Sequence, residues 1–274
     1  MDAPRVIYTI WLREFKTFLR ERSRIFSMII QPLLYLFIVG QGISGGMRLN
    51  AAPGGIDYMQ FMYPGIIGMS VLFTTMFSAI SIIWDREFGF LKEVLVAPVP
   101  RWGVAVGKML GGATVAVIQS LILIALAPFL GITLSVLTIL EVMLLVFIMS
   151  FAISGLGVLI AARMQSTQGF QGIMGLMIMP LFFLSGGLFP IESAPSWMKP
   201  LMMLDPLTYG VDGIRNVIFA ETQVTLPQGI QTSLVEVAKT AGLIRLDLAH
   251  DIGIMALIAT LLAILGAINF SRAD

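Results

Sequence analysis

The sequence has no cysteine, one histidine and few charged residues, since Asp, Glu, Lys and Arg make up 12% of its 274 residues. The lack of cysteine excludes disulfide bonds, thiolate metal sites and cysteine nucleophiles, and the single His250 excludes a histidine-rich metal site within one chain. Soluble domains carry about 25% charged residues. The low charge therefore excludes a soluble globular domain, and a net charge of +1 gives no indication of nucleic-acid binding.

Hydrophobic residues make up 57% of the chain. They are gathered into blocks of about 20, the length that crosses a bilayer as a helix. The pattern predicts an all-α polytopic membrane protein with six transmembrane helices. The predicted spans are residues 25–43, 64–83, 109–130, 136–162, 170–189 and 252–270, which together form one transmembrane domain over residues 25–270.

Residues 1–24 precede the first span and predict an amphipathic helix at the membrane interface. Ile7, Trp11, Phe15 and Phe18 recur there at helical spacing. Two roles stay open for this helix. It is either an anchor that sets the topology or an active part in gating.

Basic residues are concentrated on one side of the predicted membrane. Twelve of the 17 lie before span one, between spans two and three, or after spans four and six: Arg5, Arg13, Lys16, Arg20, Arg22, Arg24, Arg86, Lys92, Arg101, Lys108, Arg163 and Arg272. The positive-inside rule makes this side cytoplasmic. We therefore expect a multi-pass protein of the cell membrane with both termini in the cytoplasm.

The segment between spans two and three predicts a short cytoplasmic helix over about residues 85–97. Phe88, Leu91 and Leu95 fall on one face of this helix, and Pro98 ends it. An apolar stripe outside the bilayer fits a groove in another protein, and it equally fits a lipid surface. The pattern alone leaves these two interpretations open.

The start of span three contains a glycine repeat with a period of four, from Gly103 to Gly111, which predicts close helix packing. The adjacent Lys108 does not belong to a phosphate-binding loop, because Trp102 occupies the first glycine position and Met109 follows the lysine. The chain is therefore not expected to bind ATP. Any ATP-driven step requires a partner.

Span five contains a methionine-rich stretch with Met174 and Met177, followed by Phe182 and Phe183. Adaptable methionine surfaces suit varied apolar ligands, and core filling is the alternative. We expect these four residues to line a translocation pathway or the seam between two copies of the chain. Glu141 in span four either snorkels to the interface or takes part in the pathway.

Residues 187–251 predict an external segment that is broken by glycine and proline yet stays apolar in its first half. Short re-entrant helices that dip into the outer leaflet reconcile the two properties. The candidate residues of this region are Gly186, Gly187, Phe189, Pro190, Asp205, Pro206 and Tyr209. Residues 221–251 fit an external helix or a loop equally well.

Three groups of residues, in this order within six spans, make the chain resemble the membrane subunit (permease) of ABC-2-type exporters, in particular the daunorubicin-resistance and nodulation-factor-exporter branch. The first group is Arg86, Glu87, Gly89, Glu93, Leu95, Ala97 and Pro98 with the later Gly107-Lys108; the second is Leu184 to Pro190; the third is Asp205, Pro206, Tyr209 and Arg215. The resemblance covers nearly the whole chain. Asp205 departs from it, since that family usually has asparagine there.

The resemblance implies that the helix over residues 85–97 is a coupling helix seated in a cleft of an ATP-binding subunit. Its implied ATPase-coupling residues are Arg86, Glu87, Phe88, Gly89, Leu91, Glu93, Leu95 and Pro98. The resemblance also implies re-entrant helices after span five and a complex of two permease copies with two ATPases. ATP and magnesium would be bound by the partner ATPase, with no cofactor or metal in this chain.

The leading function is therefore ATP-driven export of an amphipathic or hydrophobic substrate, such as a drug, a lipid or a lipid-linked glycan, by a permease dimer. The alternative is an ion-coupled secondary carrier or channel, which would normally place several ionisable groups inside its spans. A membrane-embedded enzyme is the weakest class, because the sequence shows no nucleophile–base motif. The chain on its own is not expected to be an enzyme.

Overall fold

The structure, a computed structural model, describes residues 2–40, 42, 58–89, 99–225 and 231–272. The α-helices in these ranges are α1 (Ala3–Arg20), α2 (Arg22–Leu34), α3 (Tyr58–Ser78), α4 (Ile80–Glu87), α5 (Arg101–Ile124), α6 (Val136–Ala161), α7 (Thr167–Leu184), α8 (Lys199–Leu204), α9 (Pro206–Glu221), α10 (Leu234–Thr240) and α11 (Leu248–Arg272). A π-helix, Tyr35–Val39, extends α2. Strands β1 (Gln223–Thr225) and β2 (Gln231–Ser233) form an antiparallel pair.

Six helices of the described ranges are long and apolar enough to cross a membrane. They are Arg22–Val39, Tyr58–Glu87, Arg101–Ile124, Val136–Ala161, Thr167–Leu184 and Leu248–Arg272. The predicted all-α polytopic class is therefore confirmed. The short β1–β2 pair is the one departure in the described part, and with α10 it occupies residues that the sequence assigned to either a helix or a loop.

The structure describes only the first residues of the segment predicted as the coupling helix. Asp85, Arg86 and Glu87, expected to open that helix, instead end α4. Phe88 follows as the C-cap, and Gly89 has a φ of +81°, a left-handed conformation that stops the helix and favours glycine. Leu91, Glu93, Leu95 and Pro98 lie outside the described residues.

Two span boundaries differ from the predicted ones for identifiable backbone reasons. Helix α5 begins at Arg101, because Pro100 is its N-cap in an extended conformation. Helix α7 ends at Leu184, and Gly186 with a φ of +70° turns the chain away from the helix axis. Residues 185–189, predicted as the end of span five, therefore form a turn.

The central helices are α3, α5 and α6, which pack against one another, and α11 packs mainly on α6. Helix α9 is not a surface element, because it is wedged between α3, α6 and α11 with most of its residues buried. Helices α2 and α7 are peripheral. Only one side of α7 is buried, at the four-residue spacing of Phe170, Met174, Ile178 and Phe182.

One end of the bundle carries α1, the C-terminus of α4, the start of α5 and the end of α11; we call it the basic end. Arg101 there donates to the carbonyl oxygen of Ser271 at 3.3 Å. The amphipathic α1 lies along α5, where a Cβ on Gly107 would approach the Ile10 Cβ to 2.8 Å. The glycine repeat therefore packs α5 against α1 of the same chain.

The opposite end holds α8, α9, the β1–β2 pair and α10. A close backbone contact there joins Gly65 of α3 to Gly187, since a Cβ on Gly65 would lie 2.5 Å from both the Cα and the carbonyl oxygen of Gly187. The Tyr58 hydroxyl donates to the carbonyl oxygen of Leu188 at 2.9 Å. The turn after α7 is thus fixed onto the first turns of α3.

Replacing Gly65 with alanine should destabilise the fold, because the added methyl group meets backbone atoms that have no rotamer to change. Overpacking of this kind costs about 1–3 kcal/mol. The matched control is Gly253→Ala in α11, where a Cβ meets nothing within 4 Å. Thermal unfolding of the purified protein in detergent should show a lower Tm for Gly65→Ala and an unchanged or higher Tm for Gly253→Ala. Equal Tm values would contradict the close contact.

Candidate functional site

A cluster of four charged side chains, two of them buried, joins three helices at the basic end. The Lys108 ammonium of α5 lies 2.5 Å from Asp85 Oδ2 and 2.7 Å from Glu14 Oε1, and it donates to Ser81 Oγ at 3.0 Å. Arg13 of α1 donates to both carboxylate oxygens of Asp85, one of them at 3.0 Å. Two cations face two carboxylates, so the cluster is electrically balanced.

This charged cluster, made up of Arg13, Glu14, Asp85 and Lys108, locks α1 onto the helix that leads into residues 90–98. Lys108 and Asp85 have side chains only 3% and 7% exposed, so separation of the pair would leave a charge without solvent. Removing one partner of a buried pair costs about 3–5 kcal/mol. Trp11 adds a neutral link from α1, donating to Thr114 Oγ1 at 2.9 Å.

Two of the residues predicted to contact an ATPase bind their own chain through their polar atoms. Arg86 donates to the carbonyl oxygens of Ala162 and Met164 at 2.6 Å each, which satisfies carbonyl groups at the C-terminal end of α6. Glu87 accepts from the backbone N–H of Thr167 at 3.2 Å, at the start of α7. These two residues therefore brace the α6–α7 junction.

Phe88 is the predicted coupling residue that the structure leaves uncovered. Its side chain is 83% exposed, directly after α4 and before the helix-stopping Gly89. This phenylalanine is therefore open to contact with another surface. The part of the segment after Gly89 is outside the described residues.

A large apolar cavity of about 750 Å³ opens between α2, α3 and α7 at the opposite end. We call it the aromatic cavity, since it is lined by Tyr35, Tyr58, Phe182, Phe183 and Phe189, with Met179 and Pro190. Its size falls within the range of small-molecule sites, about 300–1,000 Å³. It is the largest of the described cavities and contains few polar atoms.

The expected pathway residues of span five divide between two faces of α7. Met174 and Phe182 are 0% and 2% exposed and pack inside the same chain, so neither is available to a second copy as predicted. Phe182 still contributes to the wall of the aromatic cavity, as Phe183 does, and Met177 is half-buried. The sequence does not show which side of α7 meets α3.

The face of α7 that points away from the chain carries Gly172, Leu176, Met179 and Phe183 at helical spacing. Leu176 is 76% exposed, and a Cβ added to Gly172 would meet nothing within 4 Å. A second helix could therefore approach α7 closely along this face.

A smaller cavity of about 180 Å³ lies between α2, α3 and α5, nearer the basic end, and we call it the polar groove. The polar groups of its inner wall are held in place by a hydrogen bond that a proline in α2 makes possible. Pro32 has no N–H, so the carbonyl of Met28 lacks its helical donor. Gln119 of α5 donates to that oxygen at 2.7 Å, and its own amide oxygen accepts from Thr74. One buried amide thus joins three spans.

At the opposite end a fully buried arginine, Arg215 of α9, holds three backbone segments together. It donates to the carbonyl oxygens of Leu243 and Gly186 at 3.1 Å each and of Phe61 at 3.4 Å. Its guanidinium lies 4.2 Å from the centre of the Phe61 ring. Burial lowers the pKa of Arg215 to about 10, against the opposing effect of Asp212, so the group stays charged at neutral pH.

The third predicted group forms the start of α9. Asp205 is its N-cap and accepts from the N–H of Leu207 at 2.9 Å, and Pro206 takes the first helical position. Burial raises the pKa of the Asp205 carboxyl to about 7, although the Leu207 N–H acts in the other direction. The Tyr209 hydroxyl donates to the carbonyl oxygen of Met203 at 2.7 Å. These residues have structural roles.

A pair of buried carboxylates lies beside a cavity of about 190 Å³ between α9 and α11. Asp212 accepts from the N–H groups of Arg245 and Leu246 at 3.1 Å each. Asp251 accepts from Asn216 at 3.3 Å through one oxygen, and its other oxygen has no hydrogen-bond partner among the described residues. The described residues contain no group of three or more His, Cys, Asp or Glu that could hold a metal ion.

Sequence reasoning did not single out Arg13, Glu14, Gln119 and Asp251 as interacting residues. A detectable signal existed for Asp251 and Gln119, because each is a polar residue within a helix of high hydropathy. Glu141, which the sequence did single out, is exposed on α6. The pairing of Arg13 with Asp85 had no signal, since the two residues are 72 positions apart.

Comparison with known proteins places these features in a family context. A protein-family model described as ABC-2 type transporter matches residues 5–219. The chain is 30% identical over 212 residues to ycf38 of Cyanophora paradoxa, whose name describes a transport permease; the match covers 76% of this chain and 72% of that protein.

Two further relatives have names that refer to transport or nodulation. YbhR of Escherichia coli (strain K12), whose name describes a multidrug ABC transporter permease, is 26% identical over 199 residues, covering 68% of this chain and 51% of that protein. Nodulation protein J of Rhizobium leguminosarum bv. trifolii is 25% identical over 224 residues, covering 81% of this chain and 84% of that protein.

Replacing Lys108 with methionine should destabilise the basic end, because Glu14 loses its cation and Asp85 keeps only Arg13. The expected loss is about 3–5 kcal/mol, with faster hydrogen exchange in α1. The control is Lys199→Met, which removes an exposed ion pair with Glu192 at 2.8 Å and should cost about 0–1 kcal/mol. Similar thermal stability of the two variants, with unchanged exchange in α1, would show that the cluster does not hold α1.

Proposed function

This chain belongs to the ABC-2 type transporter family, and on that premise we propose that it is the membrane-spanning permease of an ATP-driven exporter. Family membership implies association with an ABC ATPase subunit and a membrane role without catalysis by this chain. We propose further that two copies of the chain and separate ATPase subunits form the working complex. The substrate is amphipathic or hydrophobic.

The proposed orientation places the basic end in the cytoplasm. Lysine and arginine are concentrated at that end, as the positive-inside rule requires of cytoplasmic segments. Both termini are then cytoplasmic, in the cell membrane. The aromatic cavity and α9 lie in the outer half of the bilayer, where α8 and α9 are the proposed re-entrant helices.

The observation that carries the proposal is the construction of the basic end. The charged cluster fixes α1 to α4 and α5, Arg86 and Glu87 fix α4 to α6 and α7, and Phe88 projects from this rigid base. Movement imposed on the segment around Phe88 by an ATPase would reach four spans directly. This is the mechanical property that a coupling segment requires.

Substrate passage is proposed between the two copies, next to the aromatic cavity. One copy provides an apolar wall, which is the lining of the aromatic cavity of about 750 Å³, and this cavity is open on one side. Closed two-fold symmetry is the commonest way in which a second wall is supplied. The name of one relative refers to a multidrug ABC transporter permease, and the apolar lining of the cavity supports a substrate with a large apolar part.

ATP and magnesium are assigned to the partner ATPase. The Gly107-Lys108 pair, the one fragment that resembles a phosphate loop, lies inside α5, and the ammonium of Lys108 is occupied by Asp85 and Glu14. The energy of hydrolysis would therefore enter this chain mechanically.

An ion-coupled carrier is the second candidate, and one observation favours it. Asp251, near the start of α11 and close to Asp212, has one carboxylate oxygen without a partner among the described residues. A group of this kind can bind a coupling ion. The two functions separate in proteoliposomes. An ion gradient without ATP should drive no flux if the chain is an ABC permease.

Replacing Phe88 with aspartate should uncouple the transporter, because seating an unpaired carboxylate in an apolar cleft costs several kcal/mol, about 2–7 for a buried polar group. Substrate-stimulated ATP hydrolysis by the purified complex should be lost while the permease still folds. Phe129→Asp is the matched control, since Phe129 is 81% exposed at the other end of α5. Normal stimulation in the Phe88 variant would mean that this side chain faces lipid.

The proposed seam predicts which cysteines cross-link. In this cysteine-free chain, Leu176→Cys, Met179→Cys or Phe183→Cys should each form a disulfide between two copies, whereas the buried Met174→Cys should not. Oxidised and reduced membranes are compared by gel electrophoresis. Failure of all three exposed positions in an intact complex, or equal cross-linking at Met174, would exclude α7 as the seam.

A further inference from the structure

One face of α2 carries polar residues along most of its length, although α2 is a candidate membrane span. Arg24, Ser27, Gln31 and Tyr35 follow one another at intervals of three and four residues, so they form a single stripe. The first three line the polar groove, and Tyr35 lines the aromatic cavity. The stripe therefore connects the two cavities.

Gln31 is the critical member of this stripe. Its side chain is exposed near the middle of the span, and its amide forms no hydrogen bond with any described residue. An unsatisfied amide facing lipid is costly, and irregular or polar groups at this depth are tolerated where they line a cavity. The position of Gln31 thus indicates a polar occupant beside α2.

The wall facing the stripe has a polar part and an apolar part, which together suit an amphipathic molecule. Thr74 and Gln119, which are 6% and 4% exposed, form its polar floor. Thr74 donates to the amide oxygen of Gln119, and Gln119 donates to the Met28 carbonyl, which keeps that floor in place. Phe73 and Phe77 form its apolar rim. A polar head can therefore lie against the floor while an attached apolar chain stays against the rim or in lipid.

Charge at the entrance selects the sign of the head. Arg24 pairs with Glu21 at 3.3 Å, while Arg20 and Arg22 are exposed and form no ion pair with a described residue. Residues 20–24 thus hold three cations and one carboxylate, and Arg24 among them lines the groove. By contrast, Arg13 and Lys108 are already neutralised by Asp85 and Glu14.

We propose that the α2 stripe of Arg24, Ser27, Gln31 and Tyr35 is the path of the polar head of an anionic amphiphile. The groove volume of about 180 Å³ equals that of about six water molecules at about 30 Å³ each, enough for a small head but not for a drug-sized molecule. The apolar part moves beside the groove and reaches the aromatic cavity. This inference rests on the proposed function for the direction of movement.

The path can be tested without ATP. Single cysteines at Ser27 and Gln31 should react with a water-soluble, negatively charged methanethiosulfonate, and faster than with its positively charged analogue after correction for their rates with free thiol. Phe26→Cys and Phe37→Cys are the matched controls, since these residues are 66% and 46% exposed on the side of the helix that faces away from the stripe. The controls should react at least tenfold more slowly.

The head-group preference is tested with the complete complex in proteoliposomes. Tail-labelled phosphatidylglycerol should be transported, and phosphatidylcholine with the same chains should be transported at least tenfold less. Gln31→Leu should reduce the phosphatidylglycerol rate about tenfold, and Gln31→Asn, which keeps the amide, should restore most of it. Basal ATP hydrolysis should not change in either variant.

Three results would overturn the inference. The first is equal reactivity of all four cysteines. The second is a spontaneous disulfide between two copies of the Gln31→Cys variant, which would show that the stripe is an interface. The third is equal transport of the two lipids. Failure of the proposed function would look different. It would remove ATP-dependent transport of every probe while leaving the pattern of cysteine reactivity intact.

Discussion

The structure depends on one constraint: an apolar bundle that excludes water has to satisfy its polar groups from its own chain. Lys108 meets two carboxylates at the basic end, and Arg215 meets three carbonyl oxygens at the other. Between the two ends, Gln119 donates to the Met28 carbonyl oxygen, which has no helical donor because Pro32 lacks an N–H. Each of these side chains joins segments distant in sequence. The polar residues of this chain therefore act as its cross-links, a role that disulfides cannot take here because cysteine is absent.

Some polar groups of the described residues are not satisfied by their own chain. Among the exceptions in the described part of the chain, Gln31 and one oxygen of Asp251 have no partner and lie beside cavities. At the basic end, Arg86 and Glu87 bind backbone groups of their own chain, while the neighbouring Phe88 is uncovered.

The sequence predicted features that repeat within one helix, and it did not predict contacts between residues that are distant in sequence. Hydropathy gave the six helices, and the spacing of Ile7, Trp11 and Phe15 gave the amphipathic α1, because both signals repeat within one helix. The face of α7 could not be obtained in this way, since Met174 turns inward only through packing against α3. The end of α4 at Glu87 depends on the left-handed Gly89, which a helical pattern of apolar residues conceals. Asp85, Lys108 and Arg13 come together only in the folded chain.

The central claim is that this chain works as a pair of permeases joined to ATPase subunits. The most direct measurement is the mass of the intact complex released from its native membrane in mild detergent, determined by native mass spectrometry. The account predicts a complex with two copies of this 29.9 kDa chain and two copies of an ATP-binding subunit. A single chain, or an oligomer of this chain that never contains an ATP-binding subunit, would contradict it.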